Sequence, residues 1–186
     1  MSKRDWHGVG VAIGWTLIAV VIAMAVAVLV LLVQLWKGNT AHAARLSHEH
    51  EVMLYAIAYG QYGSAHGGIP MPPRPEIHFD TRANICAVMG KWPTCPAGGY
   101  FDNGRVVMAD DLDFASKFDA SKVVHELVHY LQEQHEGKTK DCRMWIDREV
   151  EAYRIQYYLL ARDGEDRAAE IVRASARQVR CREPAK

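Results

Sequence analysis

Ser121-Lys122-Val123-Val124-His125-Glu126-Leu127-Val128-His129 is the stretch that decides how the chain is read. It holds the pattern H-E-x-x-H in a run of helical character. A helix turns about 100° per residue, so positions four apart lie on one face, one turn apart. His125 and His129 can then grip one metal ion, with Glu126 beside them to handle a proton on a bound water. Val124, Leu127, Val128 and Leu131 form an apolar stripe beside the two imidazoles, which predicts a site at the edge of a core. Asp119 and Ser121 are both good N-caps and Gly137 is a good stop, so the helix is expected to start near one of them and end at Glu136.

Two histidines leave the coordination of a catalytic metal incomplete, because catalytic zinc usually takes three protein ligands and one open position. Three residues compete for the third place. Glu149 and Glu151 lie on a helix read over Arg143 to Ala161. They differ by about 200° around its axis, so only one can face the histidines. That helix should turn Trp145, Ile146, Ala152, Leu159 and Leu160 toward the core, and Glu149 lies near that side. His135 follows on the motif helix itself, where it points away from His125 and His129. Gln132 stands where a glycine would be needed to break that helix. Glu149 ranks first, Glu151 second and His135 third.

His125 to His129, followed after nineteen intervening residues by Glu149 in an E-x-x-A frame, resembles the zincin metallopeptidases and, within them, the glutamate-liganded gluzincins. The overlap covers Ser121 to about Gln156. The resemblance implies zinc (Zn2+) as the ion, His125, His129 and Glu149 as its ligands, and Glu126 as general base. Gluzincins often carry Asp or Asn four residues after the ligand glutamate, where this chain has Tyr153. The chemistry expected is hydrolysis of a peptide or protein substrate by metal-activated water, with Glu126 taking the proton and passing it to the leaving amine. Tyr153, Tyr157 and Tyr100 are open alternatives for the donor to the oxyanion. The alternative function is a catalytically inactive, zincin-like interaction domain tethered at a membrane.

The segments upstream supply scaffolding. Thr40 to Gln61 reads as a helix, and four prolines between Ile69 and Pro75 impose an extended connector. Glu76 to Thr81 alternates as a strand does, and Asn103-Gly104 between apolar runs predicts a hairpin over Tyr100 to Met108. The edge of that hairpin offers a place for a substrate to add as a strand.

Val9 to Leu35 carries no Asp, Glu, Lys or Arg. It is long enough for a transmembrane anchor in the lipid bilayer, and longer than the apolar core of a cleaved signal peptide. Four cysteines permit three pairings. Cys86 and Cys95 bracket a short loop. The helices read over Arg143 to Ala161 and Glu165 to Arg180 make a hairpin whose far ends bring Cys142 to Cys181. Disulfides would put the domain in an oxidising compartment, periplasmic or extracellular. Four free, buried thiols are the competing reading. Lys plus Arg balance Asp plus Glu at 22 each, so nothing favours a nucleic-acid partner. The fold class expected is α+β: an N-terminal transmembrane helix, then a small zincin-like domain of helix, short antiparallel strands, motif helix and C-terminal helical hairpin. The corresponding divisions are a cytoplasmic tail (1–8), an anchor (9–36), a helix with connector (37–75) and the metallopeptidase domain (76–186).

Overall fold

The structure is a computed structural model that describes residues 22, 24–32, 46–90, 95 and 97–181. The chain divides into two compact units, Met1–His42 and Ala43–Lys186. Of the first unit the described residues are helical and exposed. Among the described residues no helix is long and apolar enough to cross a membrane. This corrects the expectation of a single-pass anchor over Val9 to Leu35, and with it the placement of the domain by membrane topology. Most of that stretch, and the start of the helix expected at Thr40, lie outside the described residues.

The second unit is α+β. Its elements run α1 (His48–Ala65), β1 (Ile77–Asp80), α2 (Arg82–Val88), β2 (Gly99–Asp102), β3 (Arg105–Ala109), α3 (Lys117–Glu136), α4 (Cys142–Arg162) and α5 (Asp166–Ala176). The sheet order is β1-β3-β2. β2 and β3 form the expected antiparallel hairpin, with Tyr100 opposite Val107. Asn103 and Gly104 both take positive φ, 49° and 79°, as the tight two-residue turn demands. β1 pairs with β3 in parallel, Ile77 opposite Val106, so the sheet is mixed and not antiparallel throughout. The chain between β1 and β3, which includes the hairpin's first strand and the short helix α2, is the crossover that a parallel pair requires. Gly99 is obligatory in β2, since a Cβ there would lie 2.5 Å from the Val107 carbonyl oxygen.

α3 is the centre of the core. Val124, Leu127, Val128 and Leu131 are fully buried, as the apolar stripe requires. The helix begins two residues before the earlier of the expected caps, with Ser116 as N-cap, and stops at Gly137, whose φ is 80°. Asp119 instead sits in the first turn, accepting from the Asp113 amide and the Lys122 ammonium. α1 packs on α3 through Leu54, Tyr55, Ala58 and Tyr62. The proline-rich connector is strapped across this pair by three phenols: Tyr55 donates to Pro72 O (2.6 Å), Tyr59 to Ile69 O (2.7 Å) and Tyr130 to Pro73 O (2.5 Å). Carbonyls that a proline run cannot use in regular structure are satisfied in this way.

Both disulfides pair as expected, Cys86 with Cys95 and Cys142 with Cys181, at Cα separations of 5.6 and 5.8 Å. They fit an oxidising compartment. α4 and α5 form the expected helical hairpin, joined by a turn at Asp163 and Gly164 and packed through Leu160, Ala169 and Val172. α5 ends at Ala176, four residues short of the expected Arg180. Trp145 is 40% exposed, which corrects its expected place in the core; it stands on the wall of a cleft instead.

Candidate metal centre

Helical spacing on α3 brings the two motif imidazoles together, with His129 Nε2 3.2 Å from His125 Nε2. α4 runs alongside α3 and delivers Glu149 to the same point. Its Oε1 is 3.3 Å from His129 Nε2 and its Oε2 is 3.6 Å from His125 Nε2. These three side chains form a group whose donor atoms all lie close enough to hold a metal ion. Donors about 2.1 Å from a common tetrahedral ion lie roughly 3.4 Å apart; the two imidazole nitrogens are 3.2 Å apart, and the Glu149 carboxylate sets one oxygen 3.3 Å from His129 and the other 3.6 Å from His125. Two imidazole nitrogens and a carboxylate, open on one side, suit a divalent transition ion.

The relative placement of the two helices is fixed by buried polar clamps on either side of Glu149. Arg148 is 6% exposed, and its guanidinium donates to the carbonyls of Gly137 (2.8 Å) and Gln132 (3.4 Å), to Thr139 (3.0 Å) and to the Glu136 carboxylate (3.2 Å). That closes the C-terminal end of α3 onto α4. Two turns along α4, Gln156 donates to Ser121 Oγ at 2.9 Å inside the core. The sequence reading missed both residues. Neither leaves a sequence signal, because the burial and partners of both are set by the packing of α4 on α3.

The competing residues are elsewhere. Glu151 accepts from the amide of Gln132 (3.0 Å) and lies 2.9 Å from His66 Nε2. His135 lies beside Tyr62, its Nδ1 3.3 Å from that hydroxyl. Gln132, noticed in the sequence only as a residue that fails to break the helix, is fully buried, and its Oε1 is 2.8 Å from His129 Nδ1. The amide oxygen can only accept, so His129 carries a proton on Nδ1, and its neutral form presents Nε2 with a free lone pair. The signal was legible: three residues on from His129, the side chain is a neighbour on the helix. His125 has no such support, since its Nδ1 is buried without a hydrogen-bond partner among the described residues.

The electrostatics follow from burial and crowding. Burial alone would raise Glu149, but hydrogen bonds from His125 and His129 outweigh it and hold the carboxyl far below its usual range. Burial opposes the charged form of His129 also, yet the Glu149 contact reverses the sign and leaves the imidazole more basic than usual. Glu126 is 9% exposed, and burial pushes its carboxyl up despite the two nearby imidazoles. Burial, then the nearby Glu149 and Glu126, pushes Tyr153 up to about 12, so its hydroxyl remains a donor.

The group opens into a cleft of about 590 Å³. β2 forms one wall, and Glu126, Tyr153 and Tyr100 line it together with the two histidines and Glu149. The ring of Tyr153 lies 4.4 Å from that of His125. Tyr153 and Tyr157 both pack on the α4–α5 cluster around Leu160, but of the two it is Tyr153 that lines the cleft. Of the three phenols considered as donors, Tyr153 is therefore the one beside the candidate ligands, with Tyr100 across the cleft. The chain matches no family model, and comparison with curated proteins and with solved structures also gave no match.

Proposed function

We propose that this chain is a zinc-dependent metallopeptidase of the zincin type. The observation that carries the reading is the convergence of His125 Nε2, His129 Nε2 and the Glu149 carboxylate within 3.6 Å of one another, on the floor of a cleft that also holds Glu126. Zinc bound there would supply Lewis acidity and a water acidified toward neutrality.

The chain's own residues account for the rest. Glu126, with its carboxyl raised by burial, is tuned toward the working range of a general base and takes and returns the proton. Tyr153 keeps its hydroxyl proton and donates to the oxygen on which negative charge develops. Gln132 holds His129 in the ligating tautomer. β2 is an edge strand of the sheet and borders the cleft, so an extended peptide can add to it through backbone hydrogen bonds. That edge is what favours a peptide over other substrates.

The test compares the wild-type chain with Glu126→Gln on a mixed peptide library read by mass spectrometry. The wild type should cleave. Glu126→Gln should bind zinc with unchanged stoichiometry and lose activity by about 10²–10⁴-fold. A wild-type chain that binds zinc and cleaves nothing would overturn the reading.

A further inference from the structure

A second cluster of ligating side chains lies at the C-terminal end of α3. His66 caps α1, while His135 and Glu136 end α3, and one donor atom of each lies within 4.8 Å of the other two. None of the three is a candidate ligand in the cleft, although Glu136 also accepts from Arg148 in the clamp between α3 and α4. Each is already oriented by a neighbour. Tyr62 donates to Glu136 Oε1 at 2.9 Å, so its oxygen is free to accept from His135 Nδ1 at 3.3 Å. In that arrangement His135 keeps the Nε2 lone pair free. His66 Nε2 sits 2.9 Å from the Glu151 carboxylate, and its ring stacks on Tyr62 with centroids 4.3 Å apart. A tautomer donating from Nε2 to Glu151 leaves the Nδ1 lone pair free, the carboxylate–histidine support usual behind metal ligands.

We propose that His66, His135 and Glu136 form a second binding site for a divalent first-row transition ion, with Glu151 as the carboxylate behind His66. Two imidazoles and a carboxylate select the zinc, cobalt, nickel and copper class over calcium or magnesium. Glu136 and Glu151 bring two negative charges, and Arg148, 3.2 Å from Glu136, and Arg154, 3.6 Å from Glu151, bring two positive charges. The attraction for a cation therefore comes from the imidazole and carboxylate donors and not from excess charge, and binding is weaker than at an uncompensated pair of carboxylates. His135 and Glu136 are exposed, so the ion has direct access. The site does not rest on the hydrolase reading, although Glu151 also holds Gln132, the partner of His129.

The experiment is zinc titration of the full chain by calorimetry with elemental analysis, repeated with cobalt to follow its visible absorption. The wild type should take two ions. His135→Ala, at an exposed position, should take one and lose at least tenfold in affinity for the weaker site, and Glu136→Gln should do the same. Glu149→Ala should remove the other ion and leave this one. Two ions bound by both His135→Ala and Glu136→Gln would overturn the second site. A wild type binding one ion that Glu149→Ala abolishes and His135→Ala does not would also overturn it, leaving the cleft site standing. A single ion lost in His135→Ala but kept in Glu149→Ala would sustain the second site and remove the first.

Discussion

Replacing Gln132 with leucine isolates the contribution of one hydrogen bond to the candidate metal centre. The side chain is fully buried and has three partners: His129 Nδ1 at 2.8 Å, a Glu151 oxygen at 3.0 Å and the Arg148 carbonyl at 3.1 Å. Leucine fills nearly the same volume but offers none of them. The losses are unequal. Glu151 keeps His66 at 2.9 Å, and the Arg148 carbonyl lies inside α4, where the i→i+4 ladder already uses it. Only His129 Nδ1 is left stranded, at a side chain 14% exposed. A buried donor without a partner costs about 1–3 kcal/mol, which should lower the unfolding free energy of the zinc-free protein by that amount. The ring also loses what fixes its tautomer, and loss of such a partner weakens metal binding by about 10–100-fold. Zinc competition against a chromophoric chelator reads the second quantity and denaturant unfolding reads the first. Gln132→Glu keeps the acceptor toward His129 but sets a carboxylate against Glu151. It should retain zinc affinity better than the leucine variant while melting lower than wild type. A folded Gln132→Leu protein that binds zinc as tightly as wild type would refute the assignment of Gln132 as the residue that positions His129.

Two further outcomes are expected. The Cys142–Cys181 bond closes a loop with a sequence separation of 39, so the paired change Cys142→Ala/Cys181→Ala should lower stability by about 4 kcal/mol by chain entropy; an unchanged urea midpoint would show that the bond constrains nothing. In the zinc-free chain His129 is held above the ordinary histidine value of 6.5 by Glu149 against the effect of burial. Its contribution to stability is then complete below that value and is lost as pH rises through the higher folded pKa. Zinc requires the neutral imidazole, so the rise in melting temperature on adding zinc should grow over the same interval; a shift that stays constant or shrinks with pH would contradict this.

Local patterns were readable where local physics decides them. The apolar stripe on α3, the Asn103-Gly104 turn and the helical hairpin that joins Cys142 to Cys181 each follow from spacing within a short segment. The preference for Glu149 over Glu151 also came from helical phase, and the two side chains do turn to different neighbours. What the sequence hid was set by distant partners. Parallel pairing of β1 with β3 leaves no local trace, because it depends on where a crossover returns. The phenol straps over the proline connector join residues as far apart as Pro73 and Tyr130. Arg148 reads as an ordinary charged helix residue until the carbonyls at the end of α3 are brought to it. Hydropathy over Val9 to Leu35 sums side chains alone, and among the described residues no helix meets the length and apolarity of a span.

All three candidate ligands come from a stretch of 25 residues, His125 to Glu149, whereas the strand that borders the cleft, Gly99–Asp102, lies wholly outside it. The candidate metal centre and the strand proposed to receive a peptide thus belong to different covalent neighbourhoods. The first is pinned by Arg148 and Gln156, and the hairpin packs against it through Phe101 on Tyr130 and through Val106 and Met108 in the shared core. Gly99 admits no Cβ and Phe101 packs on Tyr130, so exchange on β2 that leaves the candidate centre undisturbed is confined to the exposed Asp102 and the half-buried Tyr100. On the peptidase reading, those two positions are where selectivity can change while the three candidate ligands stay in place.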